Sequence, residues 1–133
     1  MEILRSIDIE DEIRLALEPY IKTYCRPLPA TFPTPSLLVA RVGGSSANTI
    51  DTFDVDLDSR ATDAATADET LRNAIGILKK IADEQTCRIR NVTINTIGSW
   101  GVDPMRPDLS LCTARLIVVA HKEKINITEA SSS

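Results

Sequence analysis

The chain has 133 residues, 43% of them hydrophobic and 26% charged, which fits one globular core and argues against disorder, collagen-like repeats or a coiled coil. Fifteen Lys and Arg stand against nineteen Asp and Glu, a net charge of -4. That sign is opposite to what tight clamping of phosphate backbones requires, so specific nucleic-acid binding is not expected.

Taken in chain order, the first signal runs from Ile9 to Tyr24, where Ile9, Ile13, Ala16, Leu17, Tyr20, Ile21 and Tyr24 recur with the helical period behind a plausible N-cap at Asp8. Pro19 falls inside that pattern and should kink or restart the helix. Residues Arg26 to Pro35 carry four further prolines, each of which biases its predecessor towards extended geometry, so this stretch reads as an extended connector. Ser36 to Val42 is a strand candidate, stopped by Gly43-Gly44 and a small polar loop reaching Asn48, and Ile50 to Asp58 is a second strand. In the latter, Phe53, Val55 and Leu57 share one face and Asp54, Asp56 and Asp58 the other.

Thr62 to Gln85 has the strongest helical stripe, through Ala64, Ala67, Leu71, Ala74, Ile75, Leu78, Ile81 and Ala82. Arg88 to Ile97 and Leu109 to His121 complete the strands, separated by a loop around Trp100 that is rich in turn residues. The predicted fold class is therefore α+β in the order α-β-β-α-β-β, with a sheet of about four strands and two helices packed on one face. Residues 1–127 are expected to form a single domain and 128–133, ending in Ser131, Ser132 and Ser133, a flexible C-terminal tail. With both helices on one side, Leu37, Val39, Ile117 and Val119 are expected to lie on an uncovered second face that needs a partner.

Little in the chain points to chemistry. Cys25, Cys87 and Cys112 are an odd number at wide spacing, read as reduced, buried thiols. The start has acids where a secretory leader needs a basic stretch followed by an apolar one, and no run reaches membrane-spanning length, so synthesis in the cytosol without membrane attachment is expected. His121 is a lone histidine with no positioned partner evident, and no Ser-His-Asp or Cys-His set can be assembled. The acids from Asp54 onward resemble the start of a calcium loop, but its sixth position is Ser59 and its twelfth Ala65, so the glycine turn and the bidentate glutamate are both missing. Gly43-Gly44-Ser45-Ser46 lacks the lysine of a phosphate loop and joins two strands. No catalytic residue, metal site or cofactor is expected, and Trp100 reads either as local packing or as an interface anchor.

The run of features has a parallel. A short amphipathic helix, a proline-rich link, a strand ending Arg41-Val42-Gly43-Gly44, an acidic alternating strand and a long Ala-rich helix come in turn. A loop with Asp103-Pro104 and Pro107-Asp108 then feeds a last strand ending ARLIVVAH. This order, over most of Glu12 to His121, resembles the tail terminator (tail completion) family of long-tailed bacteriophages. The resemblance implies a non-enzymatic virion protein, made in the host bacterial cytoplasm, that forms a homo-oligomeric ring at the head-tail junction. The resemblance implies a hexameric ring whose isolated subunits can be monomeric in dilute solution. The ring ends polymerisation of the tail tube protein and meets a head-completion or neck protein.

On that picture Gly43, Gly44, Ser45, Ser46, Asn48, Trp100, Met105 and Arg106 are candidates for loops that contact axial neighbours. Asp54, Asp56 and Asp58 are candidates for a lumen past which DNA moves without specific binding. The rival readings are another neck protein, such as a head-closure or connector subunit, and a small dimeric α+β ligand-binding module or enzyme using His121 or Arg115.

Overall fold

A computed structural model describes residues 1–130, the side chains of 97–99 excepted, so Ser131, Ser132 and Ser133 of the expected tail lie outside the described residues. The elements run β1 (Glu2–Arg5), α1 (Ile9–Leu17), β2 (Thr23–Cys25), β3 (Ser36–Ser46), β4 (Ile50–Ala61), α2 (Ala64–Glu84), β5 (Ile89–Asp103), β6 (Arg106–His121) and β7 (Glu123–Asn126). The main sheet has five strands in the order β2-β3-β4-β6-β5, and β1 and β7 form a separate two-stranded ribbon. Every neighbouring pair is antiparallel except β2 with β3.

This corrects the expected α+β order α-β-β-α-β-β: the protein is mostly β, and three of its strands were not foreseen. Two of the three, β1 and β7, pair the ends of the chain, Glu2 opposite Asn126 and Arg5 opposite Glu123. The third, β2, is held by three residues on the edge of β3. Segments this short are specified by their partner rather than by a period of their own.

Asp8 caps α1, its side chain accepting from the Asp11 N–H. Ile9, Ile13 and Leu17 bury the stripe. The helix stops at Leu17, two residues before Pro19, instead of reaching Tyr24, because proline cannot supply the N–H that the next turn would need. Asp63 caps α2 in the same way, accepting from the Thr66 N–H at 2.8 Å, and Gln85 closes it in the left-handed conformation with φ 56°. The two helices touch each other and lie on one face of the sheet, α2 against β4, β5 and β6 and α1 against β3.

Strict alternation along β4 sends Phe53, Val55, Leu57, Ser59 and Ala61 under the helices and Asp54, Asp56, Asp58 and Arg60 to the open face. Leu37 and Val39, expected on the uncovered face, are fully buried beneath the helices. The neighbours of that pair in sequence, Leu38 and Ala40, face the other way with Asp58 and Asp56 opposite them. The contiguous apolar run Leu37 to Ala40 cannot reveal its own phase, and an error of one residue exchanges the faces.

Two hairpins point to opposite ends of the sheet. The first turns at 47–49, where Ile50 stands opposite His121. Gly43 to Ser46, expected as loop, continue β3 after a bulge at Arg41 to Gly43. Gly44 makes this possible: it has φ +144°, and a Cβ there would lie 2.3 Å from the Thr52 carbonyl oxygen. The second hairpin turns at Pro104-Met105. The expected loop around Trp100 is thus mostly strand, with Trp100 opposite Cys112 and Val102 opposite Ser110.

Candidate functional site

The ends of the sheet and its open face present the groups available for contact. At the Pro104-Met105 tip, Met105 is 86% exposed, with Trp100 and Val102 on β5 more than half exposed below it. An Asp turn holds this tip. The Met105 N–H donates to Asp103 Oδ1 at 2.9 Å, and Arg60 Nε donates to Asp103 Oδ2 at 2.8 Å. Burial pushes the Asp103 carboxyl up, and the bonds from Arg60 and from the Met105 and Arg106 backbone outweigh it, leaving the group below the usual carboxylate range. Arg60 Nη1 lies 4.0 Å from Asp58 Oδ2 and donates no hydrogen bond among the described residues.

Above this buried pair the hairpin tip and the proline-rich connector enclose a concavity of about 440 Å³ walled by Leu28, Pro29, Phe32, Met105 and Arg106. Arg106 sits over the Phe32 ring at 5.8 Å and forms an ion pair with Asp108 at 3.0 Å. The connector is therefore fixed to the hairpin tip, a role the sequence did not reveal.

At the opposite end Ser45, Ser46 and Asn48 are exposed and Gly43 is half-buried. Asp51, beside them, is buried and neither of its oxygens accepts a hydrogen bond among the described residues. Burial pushes its carboxyl up. The Ser46 and Ser6 hydroxyls lie near enough to act on the charge without reaching bonding geometry, and together with the Lys122 ammonium 3.7 Å away they draw it below its ordinary value. Arg88, Arg90, His121, Lys122 and Lys124 gather around a shallow depression at the same end, giving an acidic protein a locally basic patch.

On the open face, the three acids meet three fates. Arg115 grips Asp56 through two nitrogens, at 2.7 and 3.1 Å. Asp58 accepts from the Thr113 hydroxyl at 2.8 Å, and burial pushes its carboxyl up. Asp54 stands next to Gly43, where a Cβ would come within 3.2 Å of its carboxylate. The stripe is thus present on one face as read, with its charge partly neutralised by arginines. Arg60 at the next alternate position was the signal in the sequence for such pairing.

The structure does not bring together the two groups considered for chemistry. His121 stands opposite Ile50 at one end of the sheet and Arg115 opposite Asp56 in its middle, about 20 Å apart along β6 at ~3.3 Å per residue. Burial pushes the thiols of Cys25, Cys87 and Cys112 up, which makes each a weak nucleophile. No group of three or more His, Cys, Asp or Glu that could hold a metal ion occurs among the described residues. No described helix is long and apolar enough to cross a membrane. In comparisons with known proteins the chain matches no family model and no curated protein.

Proposed function

We propose that this chain is a structural protein of the head-tail junction of a long-tailed bacteriophage, a tail terminator that forms a ring on the head-proximal end of the tail tube. In this reading the ring ends tube polymerisation and presents its other side to a head-completion or neck protein. The observation that carries it is the pair of hairpins projecting from opposite ends of one rigid sheet, each with uncharged or apolar residues at its tip: Ser45, Ser46 and Asn48 at one end, Met105 with Trp100 and Val102 at the other. A ring subunit between two axial neighbours needs contact groups in those two places, and loops on a rigid scaffold commonly carry them.

The open face suits a lumen for passing DNA. Its acids are partly balanced by Arg60 and Arg115, so it would offer neither a phosphate-binding surface nor a strongly repelling one. Replacing Asp54, Asp56 and Asp58 together by Asn should slow DNA passage and lower infectivity; unchanged passage would remove the lumen assignment.

The test of the reading is the solution mass of the purified protein over a wide concentration range, with and without preassembled tail tubes, and electron microscopy of any larger species. Rings on one end of each tube are expected. A monomer or dimer indifferent to tubes at every concentration would overturn the proposal.

A further inference from the structure

Arginine in this protein is mostly paired with acid. Seven of the ten arginines reach a carboxylate at 3.0 Å or less. The exceptions among the described residues are Arg41, which lies over the Phe53 ring, and Arg88 and Arg90, which share the shallow depression at the 47–49 end of the sheet.

Those last two are held in place by backbone. Arg88 Nη1 donates to the Lys122 carbonyl at 2.8 Å, and the Arg88 carbonyl accepts from the His121 N–H at 3.0 Å, a two-way clasp that fixes the guanidinium against the end of β6. Arg90 Nη1 donates to the Cys87 carbonyl at 2.7 Å. The register of β5 slips at this point: Ile89 is opposite Ala120 and Asn91 opposite Val119, so Arg90 is the extra residue of a bulge. A guanidinium has several N–H donors in a planar fork, and each of these two gives only Nη1 to a carbonyl. The rest of each fork is oriented, charged and without an acceptor among the described residues. Neighbouring acids are engaged elsewhere, Glu123 accepting from Arg5 Nε at 2.8 Å and Asp51 lying buried beside Lys122.

Lys124, Lys122 and His121 complete the basic rim of the depression, which has a volume of about 380 Å³ and includes Leu4, 44% exposed, in its wall. Planar forks match the paired oxygens of an oxyanion, carboxylate or phosphate. The distribution of charge decides between the polymers that carry them. Four of the fifteen Lys and Arg lie here, so the remaining surface is more acidic than the net charge of -4 suggests. A DNA duplex, with about one charge per 1.7 Å, would run off the patch onto that acidic surface. A short acidic peptide ends where the patch ends, and Leu4 offers its aliphatic carbons a place to pack.

We infer that the depression around Arg88, Arg90 and Lys124 is a docking site for a short acidic segment of a partner protein, whose carboxylates are gripped by the two arginine forks. The site does not depend on the ring reading. Within a ring it would add a polarity, with an acidic neighbour at the 47–49 end and an apolar one at the Met105 end.

The experiment uses the full chain and a fluorescein-labelled hexaglutamate peptide, with binding read as fluorescence anisotropy at low ionic strength. Arg88→Glu with Lys124→Glu should weaken binding roughly tenfold or more. Lys79→Glu with Lys80→Glu, an equal change of charge on the exposed side of α2, should leave it within about twofold. Arg88→Lys with Arg90→Lys keeps the charge and removes the forks, and should fall between the two. Urea midpoints equal to that of the parent show that each variant is folded.

No binding by the parent chain would overturn the site. So would equal weakening by the α2 pair, which would reduce the effect to overall charge. A short DNA duplex bound more tightly than the peptide, and lost in the Arg88 and Lys124 variant, would replace the acidic segment by nucleic acid. Displacement of the peptide by inorganic phosphate far beyond chloride of equal ionic strength would make the ligand a phosphoryl group. The assay needs neither rings nor tail tubes, so a failure here leaves the tail terminator reading where it stood.

Discussion

Asp103 shows how much of an end of this molecule can hang on one side chain. It is buried, holds Arg60 and fixes the N–H of Met105. Asp103→Ala would leave a guanidinium buried with only the more distant Asp58 nearby, and a loss of about 3 kcal/mol is expected, read as a lower urea midpoint at pH 7. The folded Asp103 carboxyl titrates below its unfolded value, so its contribution is present above pH of about 4 and disappears as pH falls through the folded pKa. Asp58 runs the other way. Its folded pKa is raised, so its contribution is full below about 4 and lost as pH rises through the folded value, which leaves an ionised, partly buried acid at pH 7. Asp58→Asn keeps an acceptor for Thr113, and its urea midpoint should equal or exceed that of the parent at pH 7 and lose that advantage at pH 4.

Among the elements, α2 was the most legible, and its observed bounds differ from the expected ones by two residues at the start and one at the end. Its stripe is long, and its end shows what a stripe cannot tell. Gln85 sits at φ 56°, where a side chain costs about 1 kcal/mol that glycine does not incur. Gln85→Gly should therefore stabilise the fold by roughly 0.5 kcal/mol after the added freedom of the unfolded chain is set against it, read as a higher thermal midpoint.

The hairpin strands were legible in place and underestimated in length. Glycine read as a stop at Gly43-Gly44, but in β3 it instead allows the strand to bulge and continue. β1, β2 and β7 carry no period long enough to read, and the phase of Ser36 to Val42 was ambiguous because its apolar residues are contiguous. Of the candidate contact residues, the structure brings Trp100, Met105 and Arg106 to one end and Gly43 to Asn48 to the other. Phe32, Arg60 and Asp103 went unread, since their meeting spans more than forty positions and leaves no local trace.

For the molecule as a whole, stability and assembly should separate cleanly. Trp100 is 55% exposed, so Trp100→Ala should change folding free energy by only about 0.5 kcal/mol while weakening ring formation or tube-end binding. Equal assembly by the variant in sedimentation and microscopy would return Trp100 to a purely local role.

The ribbon of β1 and β7 carries a practical consequence. The Met1 amino group donates to the Ile127 carbonyl at 2.9 Å, so the first and last paired residues of the chain are in contact. A short linker could make the backbone nearly circular, and circular permutants could be opened at either hairpin turn. One opened between Pro104 and Met105 and another opened at Asn48 should both fold, since neither cut enters the core. Each would sever one tip and spare the other. Comparing which permutant still caps tubes and which still joins heads would assign a direction to the molecule without changing a single surface side chain.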